Sequence, residues 1–220
     1  MSFIKIDKDM VRAQNLNDYD MALKLYLKFS ENRFNEINIT INSLCADLGD
    51  SYQTRNCNTG FPNKFKNWIY DNIGNHNFQL LSDPDITNNK LIRFNMNWQD
   101  VDYKYVILNI EELTQIINIA RQTKCQYHKL LNLFLLIKSY ICFETCNMHC
   151  CIVSDQTFIH SLQCATKTFI ELRNILVEAH MLYHYQFSES DNLMGSYGLI
   201  STIYSVEPYA IEDIINNFKI

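Results

Sequence analysis

Four side chains close together, Asn63, Lys64, Lys66 and Asn67, are of the kinds that read and grip a polyanion. A lysine ammonium neutralises a phosphate, and an asparagine amide can pair with two atoms on the edge of an adenine. Phe65 and Trp68 are interleaved with them, and Arg55 lies a short way upstream. The plainer reading of the same pattern is a solvated face above an aromatic core. A second set, Thr166, Lys167, Thr168, Arg173 and Asn174, has the same chemistry around Glu171, whose charge would repel phosphate. Arg173 falls nearest the apolar side of that stretch, from which a long guanidinium could still reach a phosphate.

A third cluster, Cys142, Cys146, His149, Cys150 and Cys151, contains zinc-ligand types, and four of them could close a tetrahedral site. The spacing is not a zinc pattern, and cysteines at the end of an apolar helix and the start of a strand act as small hydrophobes. Packing is therefore the stronger reading, and no cofactor is expected. Nothing else suggests catalysis. There is no phosphate-cradling glycine loop, no HExxH and no GxSxG, and the six histidines are scattered. No enzymatic activity is expected.

The segments around these residues predict what positions them. In 152–187, Ser154 and Thr166 are placed to cap two short helices, because a side-chain oxygen there can accept from orphan backbone N–H groups. Phe169, Leu172, Leu176 and Ala179 recur at helical spacing, and 182–187 alternates as a strand does. In these elements Ser154, Thr157, Leu162, Thr168, Phe169, Leu176 and the pair Met181-Leu182 resemble the winged helix-turn-helix domains of bacterial transcription regulators and of plasmid or phage replication-initiation and replisome-organiser proteins. The resemblance covers about 35 residues closely and implies a winged-helix fold with DNA as partner. Where such domains carry glycine past the second helix, this chain has His180.

Upstream, the order helix, strand, helix, helix, hairpin recurs. A helix opens at Asp18-Tyr19-Asp20, Ile37 and Ile39 alternate, and Leu44 and Leu48 precede Gly49. Phe61-Pro62 starts a helix ending near Gly74, and two strands follow at 78–81 and 91–96. The expected fold is mainly α with small β-hairpin wings, a tandem winged helix-turn-helix. Its expected parts are an N-terminal arm (1–17), a divergent first unit (18–98) and a second unit with a C-terminal helix (99–220). A long apolar helix is expected from Gln126 to Phe143.

Glycine and proline are scarce, at 5 and 3, which favours helices over hairpin-rich architectures. Isoleucine and asparagine, both with A/T-rich codons, are abundant and point to a phage, plasmid or other mobile element. The net charge of −5 is unusual for a nucleic-acid binder. Residues 185–220 hold most of it, and 113–143 contain no acid but include Arg121, Lys124, Lys129 and Lys138. Eight cysteines without a signal peptide imply reduced thiols and a cytoplasmic location. No apolar run is long enough to span a bilayer.

The function expected from these features is sequence-specific binding of double-stranded DNA, in transcription regulation or replication initiation. The stripe Ile211, Ile214, Ile215 and Phe218 could support a homodimer. The acidic balance keeps open a different class: a winged-helix scaffold that inhibits a protein with a basic, nucleic-acid-binding surface.

Overall fold

A computed structural model of the chain describes residues 3–49, 60–98, 101–141, 149–186 and 202–218. In chain order the elements are β1 (Phe3–Asp7), α1 (Lys8–Ala13), α2 (Asp20–Phe29), β2 (Ile37–Ile39), α3 (Ile41–Leu48), α4 (Phe61–Asn72), β3 (Phe78–Leu80) and β4 (Ile92–Met96). They continue with β5 (Tyr105–Asn109), α5 (Ile110–Thr123), α6 (Tyr127–Tyr140), β6 (Cys150–Val153), α7 (Asp155–Ser161), α8 (Thr166–Glu178), β7 (Tyr183–Gln186), β8 (Thr202–Ser205) and α9 (Pro208–Phe218). The chain is mainly helical with small antiparallel sheets, as its scarcity of glycine and proline predicts. Among the described residues, no helix is long and apolar enough to cross a membrane.

Two compact units form, and neither is contiguous in sequence. The first comprises 19–100 and 109–128, with residues 1–2; the second comprises 3–18, 101–108 and 129–220. Residues 3–17, expected within an arm, thus belong to the second unit, and α5 belongs to the first. The arm's polar sequence also hides a helix. Asp7 ends β1 and caps α1, accepting from the backbone N–H groups of Asp9 at 2.7 Å and Met10 at 3.1 Å.

In the first unit the strand order is β2-β4-β3, with Ile39 opposite Ile92 and Leu80 opposite Phe94. Thr40 and Ser43 form a reciprocal capping box at the start of α3. The helix ends at Gly49, whose φ of +97° a residue with a side chain rarely adopts. A Cβ there would also lie 3.1 Å from Cγ of Arg121. The rings of Phe65, Trp68, Phe78 and Phe94 build the core, and the Trp68 indole N–H donates to Asp20 at 2.7 Å.

In the second unit the strand order is β6-β8-β7, with Val153 opposite Thr202 and His184 opposite Tyr204. Ser154 caps α7 through the N–H of Thr157, as expected. Thr166 does not cap α8. It is the first helical residue, behind Ala165, and no side chain caps that end. Phe158 and Phe169 stack in the core, with Tyr204 edge-on to Phe158. On the other face of the sheet, Ile211 and Ile214 of α9 are buried with Cys150 and Ile203. Of the stripe that could pack on its own domain or on a second copy, Ile211, Ile214 and Ile215 are therefore used inside their own unit.

The chain order β-α-α-β-α-α-β-β occurs twice, from β1 to β4 and from β5 to β8. Thr40, Ser43, Leu44, Leu48 and Gly49 correspond in spacing to Ser154, Thr157, Phe158, Leu162 and Gln163. Gln163, like Gly49, has positive φ, at +49°. Phe65 stands as far before Leu80 as Phe169 does before His184, so α4 and α8 also align residue by residue. Residues 50–59, which lie outside the described residues, make up the greater length of the first copy between α3 and α4.

His180 occupies the position where glycine is usual, at φ +56°. Its N–H donates to Val177 and that of Met181 to Leu176, which closes α8 in a Schellman motif. The left-handed backbone strains any residue with a Cβ. His180→Gly should therefore raise stability by about 0.5 kcal/mol, or about 1–2 °C in Tm, after the entropy of glycine and the lost stacking on Tyr183 are deducted. Thermal unfolding checks this; a fall in Tm would mean the strain is already relieved.

Candidate nucleic-acid interface

Helix α4 separates its residues cleanly. At 3.6 residues per turn, Phe61, Phe65, Trp68 and Ile69 fall together, and all four are buried. The opposite arc carries Asn63 and Asn67 along its middle, Lys64 on one rim and Lys66 on the other. Lys64 and Asn67 are exposed, and Asn63 and Lys66 half-buried. Tyr70 and Asp71 continue this arc toward the C-terminus; the Tyr70 hydroxyl donates to the Pro84 carbonyl in the β3–β4 connection at 3.1 Å.

The charges around α4 are largely committed elsewhere in the first unit. Lys24 pairs with Asp20 at 2.8 Å, Lys28 with Glu31 at 2.5 Å and Lys90 with Asp83 at 3.2 Å. Arg93 lies 3.5 Å from Glu36. Among the described residues, neither Lys64 nor Lys66 has an acidic partner; Lys64 only overlies the Tyr19 ring, at 5.7 Å. The helix thus presents two uncompensated cations. Arg55 lies outside the described residues.

Helix α8 differs at the same positions. Thr168 and Ile170 stand where α4 has Lys64 and Lys66, and Lys167 and Glu171 stand where it has Asn63 and Asn67. Thr166, Lys167 and Asn174 are exposed and Thr168 half-buried, but Lys167 lies 3.9 Å from Glu171 across one turn. Arg173 corrects the expectation of a phosphate contact. It is 8% exposed, and its Nη1 donates to Asp155 at 2.7 Å, inside the unit.

Of the four basic residues between 121 and 138, Arg121 and Lys138 are engaged within the fold. Arg121 donates through Nη2 to the carbonyls of Ala46 and Asp47, where it neutralises the C-terminal end of α3. Lys138 is 7% exposed, with its ammonium 5.4 Å from the Phe134 ring centre. Lys124 is exposed and Lys129 half-buried.

Of the cysteine cluster, Cys142 and Cys146 lie outside the described residues. Cys150 is buried in the apolar core, and His149 Nδ1 lies 2.6 Å from Glu207. Burial pushes the Cys151 thiol up to about 12, so it stays protonated and inert at neutral pH. Among the described residues, no group of three or more His, Cys, Asp or Glu could hold a metal.

The residues that sequence reasoning missed are Asp155, Thr202, His184 and Tyr204. The Tyr204 hydroxyl donates to Asp155 Oδ1, which also accepts from Thr202 Oγ1 at 3.0 Å; Asp155 Oδ2 takes Arg173. The His184 ring stacks on Tyr204 at 6.2 Å. Burial and the Asp155 hydrogen bond push the Tyr204 hydroxyl well above the usual tyrosine range. The four come from α7, β7 and β8, and local spacing links only Thr202 and Tyr204, two apart on one strand.

Compared with protein-family models, curated proteins and solved structures, the chain matches none.

Proposed function

We propose that the protein is a tandem winged helix-turn-helix that binds double-stranded DNA sequence-specifically through the first unit. The fold reading is supported by the order helix, strand, helix, helix, hairpin in both units, with the first strand beside the last in each sheet. The observation that carries the function is the outer arc of α4, with Lys64 and Lys66, unpaired among the described residues, on its rims and Asn63 and Asn67 between them. A helix of this kind fits the major groove, where rim lysines reach phosphates and central asparagines reach adenine edges. The role fits transcription regulation or replication initiation of a mobile element.

The second unit supports a different use of the same scaffold. It carries most of the acidic excess, and α8 lacks both rim lysines. A protein partner with a basic surface suits it better than DNA. An inhibitor of a nucleic-acid-binding protein is the corresponding alternative for the whole chain.

The test is fluorescence anisotropy with AT-rich and GC-rich duplexes over a salt series. The DNA reading expects tighter binding to AT-rich duplex and affinity that falls linearly on a log–log plot against salt, by about one unit of slope per phosphate contacted. Substituting Lys167 and Asn174 by alanine should leave that affinity unchanged. Absence of duplex binding at low salt would favour the inhibitor.

A further inference from the structure

The repeated architecture lets the two cores be compared position by position, and one group of positions differs wholesale. In the first unit the residue after the α3 cap is Ile41, and the buried residue four after Phe65 is Ile69. The strand positions fixed by register are Leu80, Ile92 and Phe94. Their counterparts in the second unit are Asp155, Arg173, His184, Thr202 and Tyr204. Five apolar residues on one side answer to five polar ones on the other, and four of the apolar five are buried outright.

The polar set is not fully satisfied. Among the described residues, Arg173 Nε and His184 Nδ1 are both buried without a hydrogen-bond partner. Such groups cost free energy, and that cost is hard to account for if the cluster serves packing alone, since the apolar version already exists in the same chain.

We propose that this cluster makes the seat of β7 an acid-operated release in the second unit. At neutral pH, Asp155 is the one carboxylate among the described residues that balances Arg173, and a neutral His184 stacks on Tyr204. A proton on His184 adds a second cation beside Arg173, with only that carboxylate to share. The charged and titratable groups facing His184 are Arg173 from α8, Asp155 from α7 and Tyr204 from β8; α9 packs on the opposite face of the sheet, against Tyr183, Tyr185 and Ile203. Protonation therefore frees β7 from α8 and loosens the hairpin.

The sign follows from linkage. Burial, and then the Arg173 charge, hold His184 below its ordinary value of 6.5, so the unfolded chain takes up the proton more readily than the folded unit. Stability from this site is complete above that value and is lost as pH falls through it. The first unit, with Leu80 at the matching position, has no such response.

Amide hydrogen exchange on the full chain, expressed as protection factors at about pH 7.5 and about pH 5.5, tests this. The expected result is loss of protection in β7 and β8 at the lower pH, with β3 and β4 unchanged. His184→Leu, which installs the residue of the first unit, should abolish the loss. His184→Gln, neutral and polar, should do the same and guards against a packing effect of leucine. Equal behaviour of the two hairpins in the wild type, or an acid-induced loss that persists in both variants, would overturn the proposal.

Discussion

Asp155→Ala is expected to destabilise the second unit by about 3 kcal/mol while leaving the first at its wild-type stability. The carboxylate accepts from Arg173, Thr202 and Tyr204 at once, and its removal strands all three donors inside the unit. The Arg173 charge is the costly one, because its Nε already lacks a partner and its side chain is nearly closed to water. The estimate sits at the low end of the range for breaking a buried ion pair, since the Asp155 side chain is 24% exposed and water moderates the field. Asp155→Asn, which keeps two acceptor or donor atoms in place, should cost less. Urea unfolding followed by amide signals from each unit separately is the measurement. An equal loss in both units, or a loss under about 0.5 kcal/mol, would show that the cluster does not hold α7, α8 and β8 together.

The double substitution Lys64→Ala/Lys66→Ala should weaken binding to duplex DNA about thirtyfold near physiological salt and lower the salt slope by about two units. Each lysine stands on one rim of α4 without an acidic partner among the described residues, so each is available to one phosphate. Neither contributes to the core, which Phe61, Phe65, Trp68 and Ile69 supply, so the variant should unfold at the wild-type temperature. Asn67→Ala is expected to behave differently. It should reduce the preference for AT-rich duplex while leaving the salt slope alone, because a base contact releases no counterion. An unchanged slope in the lysine variant would remove α4 from the interface even if the chain binds DNA.

Local signals in the sequence account for most of the elements. The Ser154 cap, the helical spacing around Phe65 and Phe169, and the alternation at Ile37 and Ile39 and over 182–187 all act within a turn or a few residues. Such signals are readable because the physics behind them, a satisfied N–H or a buried face, is itself local. Helix α1 was missed because six residues show no period, and only the Asp7 cap betrays it.

Charged residues near the edge of an apolar face were the least legible. Arg173, Arg121 and Lys138 each have a long stem that can carry the charge outward or inward. For Arg173 and Arg121 the direction depends on a partner distant in sequence, Asp155 and the end of α3. The exception among these is Lys138, whose partner is near but whose burial depends on what covers the helix.

The amino-acid sequence by itself determined the succession of helices and strands apart from α1, the mainly helical class and the polar arc of α4, because periodicity and capping are properties of neighbouring residues. Only the tertiary structure decided that α9 spends its apolar stripe within its own unit, that Arg173 turns inward, and that five positions apolar in one unit form an ionic cluster in the other. Those outcomes depend on strand register and on contacts between residues far apart in the chain, which no short window of sequence contains.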